Sequence, residues 1–122
     1  MLSFGTDAAL AMGLSNVIIE EDLYDHDFVE KWGYGWEELV EAVKEYTPEK
    51  VAEICWVDAE DIRRAARLYA TSKPASMQWG LKVDQSPIGI PCAQAINNLV
   101  GMTGNYDVPG GNIEVDQPYR TD

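Results

Sequence analysis

The chain has 122 residues, 46% hydrophobic and 25% charged, which supplies one modest core and therefore one domain or part of one. No stretch approaches the roughly 20 apolar residues of a membrane helix, and the opening MLSFGTDAAL lacks the basic start and unbroken apolar run of a secretory signal. A formal net charge of −12, with the acids concentrated between Glu20 and Asp61, excludes a nucleic-acid partner held by phosphate neutralisation and marks a solvated acidic face.

Leu10, Leu14, Val17 and Ile18 recur at helical spacing, which predicts an amphipathic helix from Thr6 to about Ile19, with Thr6 or Asp7 capping its start. A short helix near Asp25 to Trp32 is expected to bury Phe28, Val29 and Trp32 before Gly33-Tyr34-Gly35 breaks it. Trp36, Leu39, Val40 and Val43 define a third helix. Thr47-Pro48-Glu49 reads as a cap, a proline in the first turn and an acid at the positive end of the dipole, so a helix through Ile54 follows. Asp58 and Asp61 resemble a capping box for a helix whose buried stripe is Ile62, Ala65, Ala66 and Tyr69. Pro74 stops it near Ser72.

Ala75 to Gly80 is short, apolar and bounded by breakers, which predicts a buried strand, with a loop through Pro87 and Gly89 after it. A helix from about Pro91 to Met102 carries Ala93, Ile96, Leu99 and Val100 on more than one face. Gly104-Asn105 and Pro109-Gly110-Gly111 then form turns. A lone strand leaves its edge groups unpaired, so the chain reads as a helix-rich excerpt of an α/β domain with a Rossmann-like parallel sheet, residues 1–122 forming one partial domain.

Cys55 and Cys92 belong to no CxxC pair and have apolar or small neighbours, so both are expected as buried free thiols. That fits a reducing compartment, with the cytoplasm as default and export of a longer parent left open. The single histidine, His26, lies between Asp25 and Asp27 and reads as a surface residue. Trp32, Trp36, Trp56, Tyr34 and Tyr69 sit at helical spacing and read as core. Trp79, beside Gly80 at a strand end where α/β folds bind ligands, stands apart.

Three features are informative together: Gly5-Thr6-Asp7 at a helix start, the loop from Trp79-Gly80 to Gly89, and Thr103-Gly104-Asn105 through Pro109-Gly110-Gly111-Asn112. With TPEKVAEI and RAARLYATSKPA between them, their order resembles the molybdopterin oxidoreductase family, which includes formate dehydrogenases and dimethyl sulfoxide reductase, over nearly the whole chain. The resemblance implies a parent catalytic subunit that holds molybdenum or tungsten in a bis-pterin guanine dinucleotide cofactor, of which this chain is an internal piece. It implies that Asp7 recognises guanine, since a carboxylate accepts two hydrogen bonds from that base, with Gly5 and Thr6 letting backbone approach. It also implies that Trp79, Gly80, Gln85 and Gly89 belong to a loop running toward the cofactor. The same residues have plainer readings, an N-cap for Gly5-Thr6-Asp7 and a local Lys82–Asp84 pair in the loop.

The family's iron–sulfur cysteine cluster and metal-ligand region match nothing here, so a cluster is possible in the parent but not bound by this chain, and neither cysteine is assigned to metal. The partners implied are the remainder of the parent subunit and the pterin dinucleotide. By itself the chain is not expected to be catalytically competent. The alternative is a non-catalytic helical interaction module that binds a partner or self-associates through an exposed apolar patch. A third reading keeps the family and changes the reaction, because related enzymes include a hydratase without net redox turnover.

Overall fold

A computed structural model describes residues 5–113; Met1–Phe4, where the leader reading begins, lie outside the described residues. Seven helices follow one another: α1 Asp7–Glu20, α2 His26–Trp32, α3 Trp36–Val43, α4 Pro48–Cys55, α5 Ala59–Thr71, α6 Leu81–Asp84 and α7 Gly89–Met102. The helix-rich expectation holds. The strand does not: among the described residues there is no ladder, and Ala75–Gly80 runs without regular secondary structure.

The first helix is the centre of the assembly, packing against α3, α4, α5 and α7. Its sequence explains why, for Ala11, Gly13, Ser15, Asn16, Val17 and Ile18 are all buried and lie on several sides of the helix. Its polar members bring their own partners. Ser15 Oγ donates to the Ala11 carbonyl at 2.9 Å, and Asn16 Nδ2 reaches the Val43 carbonyl at 3.1 Å, satisfying a carbonyl at the end of α3.

Two apolar clusters flank α1. The larger joins Ala11 and Ile18 to Ala66 and Ala70 of α5 and to Cys92, Ile96, Leu99 and Met102 of α7. The smaller packs Val51 and Cys55 of α4 against Ile62 of α5. Ile62, Ala66 and Ala70 form the buried stripe of α5; Ala65, expected in that stripe, is exposed, because the interface is narrower than the apolar pattern. The arginines point outward, and Arg67 grips Glu21 with two hydrogen bonds of 2.8 Å.

The expected caps at Thr47 and Asp58 are present, accepting from the backbone N–H of Lys50 and Glu60. Both cysteines are buried and unpaired, and His26 lies on the surface 3.0 Å from Asp22. Several aromatics depart from expectation: Trp32, Tyr34 and Trp56 are 75%, 103% and 74% exposed, Trp32 ending α2, Tyr34 in the turn after it and Trp56 capping the end of α4.

Asp25 caps α2, accepting from the Phe28 N–H at 3.0 Å while its other oxygen meets Lys73 Nζ at 2.9 Å. The Lys73 ammonium first, and the Phe28 N–H second, hold this carboxyl below its ordinary value of 3.8. A depressed folded-state pKa means the stabilisation is complete above that value and is lost as pH falls through the lower one. Asp25→Ala is therefore expected to cost about 1 kcal/mol at neutral pH, with the deficit narrowing toward about pH 3. Denaturant unfolding of both proteins at the two pH values checks this; an unchanging gap would show that Asp25 acts through packing instead.

Candidate functional site

Gly5 adopts a left-handed φ of 76° and turns the chain into α1. Thr6 occupies the N-cap position at φ −104°, ψ 10°, outside the extended geometry that capping side chains use, and makes no side-chain cap bond. Its carbonyl is held instead, accepting from the Leu10 N–H at 3.0 Å and from the buried Cys55 thiol at 3.6 Å. Cys55 thus fastens the turn from beneath, a role that nothing in its sequence neighbours signals.

Asp7 is the first residue of α1 and is exposed. Among the described residues its carboxylate has no ion-pair partner. It lies close enough to α7 for its charge to act on Cys92, whose thiol is pushed up chiefly by burial and further by Asp7.

Asp7 stands at the edge of a groove of about 320 Å³ between α1, the Met77–Gly80 segment and α7. Leu10, Leu14 and Ile96 supply apolar surface above the buried Leu99, and Met77, Gln78, Trp79 and Gly80 form one wall. Trp79 is 38% exposed, and its indole Nε1 donates to Asp84 Oδ1 at 3.1 Å. Asp84 is thereby engaged with the tryptophan. Gly80 has open space where a Cβ would point, so wider residues would narrow the groove mouth without disturbing the backbone.

The groove brings together Asp7, Trp79 and Gly80 and leaves out two residues of the expected loop. Gln85 is an exposed residue ending α6, its N–H bonded to the Leu81 carbonyl. Gly89 is buried at the start of α7, where a Cβ would lie 2.3 Å from the Val83 carbonyl oxygen. Its glycine serves the corner between α6 and α7. The expected loop contains one short helix, α6, and α7 begins two residues before Pro91.

The Met77–Gly80 wall is supported from behind by two asparagines. Asn105 Oδ1 accepts from the Ala75 N–H at 3.0 Å; Asn112 accepts from the Met77 N–H at 2.9 Å and donates to the Met77 carbonyl at 2.7 Å. The sequence reading treated these residues as turn chemistry. Among the described residues, no group of three His, Cys, Asp or Glu side chains converges in a way that could hold a metal ion.

No family model matches the chain. Individual proteins do. It is 47% identical over 112 residues to acetylene hydratase of Syntrophotalea acetylenica, covering 92% of this chain and 15% of that protein. It is 40% identical over 112 residues to formate dehydrogenase H of Escherichia coli K12, covering 92% of this chain and 16% of that protein. A nitrate reductase of Symbiobacterium thermophilum is 38% identical over 117 residues, 88% of this chain and 16% of its own length. The solved acetylene hydratase from Pelobacter acetylenicus superposes with a TM-score of 0.82 at 48% identity, covering 84% of this chain and 14% of that one. The chain thus spans only about 15% of the relatives it matches. Across that span, the chain belongs to the molybdopterin oxidoreductase family.

Proposed function

We propose that this chain is the part of a molybdenum- or tungsten-dependent bis-pterin oxidoreductase subunit that receives the guanine end of one pterin dinucleotide, in the groove beside Asp7. One observation carries the reading: Asp7 and Trp79-Gly80, far apart in the sequence, border one groove that combines a carboxylate with an apolar interior. The residues fit such a group. An exposed carboxylate without a cationic partner can accept from a guanine ring N–H and its exocyclic amine together, and Leu10, Leu14 and Ile96 offer flat apolar surface to a base. The start of α1 would offer backbone N–H groups to polar ligand atoms.

When bound, the metal–pterin group would supply the bond-making chemistry. The share of this chain is to bind and orient. The span is similar both to a protein called a hydratase and to proteins called dehydrogenases, which suits a part that grips the cofactor and leaves the choice of reaction to other residues. We also read Ala75–Gly80 as one strand of a parallel Rossmann-like sheet whose neighbours belong to the remainder of the subunit. The backbone groups of Ser76 and Gln78 have no hydrogen-bond partner among the described residues, as expected of an edge awaiting a neighbour. On this reading the exposed Trp32, Tyr34, Trp56 and Ile90 face the rest of the polypeptide.

Asp7→Ala in the full-length subunit is the test. Metal and pterin guanine dinucleotide content per subunit are expected to fall by about 10-fold or more, as follows from losing a charge-assisted bidentate contact. Wild-type content in a folded variant removes Asp7 from the site.

A further inference from the structure

We propose that Asn105 and Asn112 are positioning residues for the groove, a pair of side-chain amides that take the place of a neighbouring strand and fix where Met77, Gln78 and Trp79 stand. This rests on the reading of that groove as a nucleotide site and extends it to residues that do not line it.

The argument starts from the period of an extended chain. Ala75 and Met77 are two residues apart, so their N–H groups leave the same edge of the segment, while Ser76 faces the other way. A partner strand would meet that edge with backbone carbonyls. Here the Asn105 amide meets Ala75, and the Asn112 amide closes on both the N–H and the C=O of Met77, the two-bond exchange by which strands pair. Gln78 and Trp79 follow at once, so a shift at Met77 moves the wall.

Both amides are themselves held. Asn105 is 1% exposed and donates from Nδ2 to Thr103 Oγ1 at 2.9 Å, and that hydroxyl donates to the Leu99 carbonyl at 2.8 Å. The wall is thereby tied to the last turn of α7, where the Thr103 hydroxyl is shared between the Leu99 carbonyl and, at 3.3 Å, that of Val100. Asn112 is brought beside Asn105 by a closed turn, its N–H bonded to the Asn105 carbonyl at 2.8 Å and its carbonyl accepting from Asp107 at 2.7 Å. Gly111 makes this possible, since a Cβ there would fall 2.4 Å from the Asn105 carbonyl oxygen. The Gly-Gly-Asn sequence is thus a device for delivering an amide, and the two asparagines stand out because an apolar residue of similar size could fill the space but not bond the segment.

Amide hydrogen exchange of the full 122-residue chain tests this, with GDP as the probe for the groove. In Asn112→Ala the Met77 amide should exchange about 10-fold faster or more, while amides in the middle of α1 and α5 keep their rates. Asn112→Asp keeps an acceptor for the Met77 N–H and removes the donor to its carbonyl; it should retain partial protection, and it decides the matter should the alanine variant not fold. Unchanged Met77 exchange overturns the proposal, and so does a loss spread evenly through the helices. Where the parent chain binds GDP, a variant with a freed Met77 amide should bind it about 5-fold more weakly or worse, and equal binding overturns the positioning role. A parent chain that binds no GDP counts against the nucleotide reading alone, and the exchange rates still decide the role of the asparagines.

Discussion

Leu99→Ala is expected to lower stability by about 3 to 5 kcal/mol, the upper part of the range for truncating a fully buried leucine. Leu99 is 0% exposed and sits where α7 meets α1, in the cluster with Ile18, Ala66 and Ile96. The helices around it can close the space only by moving α7 toward α1, and that motion is opposed by the hydrogen bonds that Thr103 and Asn105 hang from the end of α7. Little of the loss should therefore be recovered by collapse. Urea unfolding followed by far-ultraviolet circular dichroism measures the difference. Ile90→Ala, on the exposed face of the same helix at 77% exposure, should fall within about 0.5 kcal/mol of the parent. A Leu99 variant losing less than about 1 kcal/mol would show that α7 is not docked on α1 in solution.

Gly89→Ala sets two effects of opposite sign against each other. Alanine in a helix is favoured over glycine by about 1 kcal/mol, which taken alone predicts a more stable protein. Against this, the new Cβ would stand 2.3 Å from the Val83 carbonyl oxygen, a backbone atom in the corner between α6 and α7 that no side-chain rotation can clear. Overpacking of this kind costs about 1 to 3 kcal/mol, and backbone obstruction belongs at its upper end, so the net expectation is a loss of about 2 kcal/mol. Because Val83 also borders the groove, the disturbance should reach the site as well as the fold. Thermal unfolding of the variant decides the sign, and a raised melting temperature would mean that the corner is looser than its geometry.

The sequence was most readable where local rules act alone. Thr47-Pro48 and Asp58 start helices because a side-chain oxygen and a preset φ work at the level of four residues, and both caps are found. The stripe of Ile62 and Ala66 follows from spacing alone. What the sequence concealed depends on distant chain. Trp32 and Trp56 have the composition of a core, yet exposure is set by what covers a helix, and nothing among the described residues covers theirs. Ala75–Gly80 was read as a buried strand; it forms no ladder among the described residues and none of its side chains is buried, and its edge is bonded instead by asparagine side chains 30 and 35 residues away. At the candidate site, Asp7, Trp79 and Gly80 were named through the resemblance of their motifs, and the fold places all three along one groove. Gly89 lies outside that groove, where close approach to the Val83 carbonyl requires it, and a glycine needed for close approach looks the same in sequence as one needed for a ligand.

The division of the interior into two clusters has a consequence for the entropy of assembly. The smaller cluster links α4 to α5, neighbours in the chain, and draws in Ala9, Leu10 and Leu14 of α1 from beyond α2 and α3. The larger one requires α7 to return to α1 across most of the polypeptide. Closing a longer loop costs more, though only logarithmically, about 0.6 kcal/mol for each doubling, and the larger cluster offsets this by burying more side chains than the smaller one. The groove lies on the expensive seam. Its shape depends on the closure that is hardest to make, and anything that bridges α1 and the Met77–Gly80 wall would act as a staple across that seam.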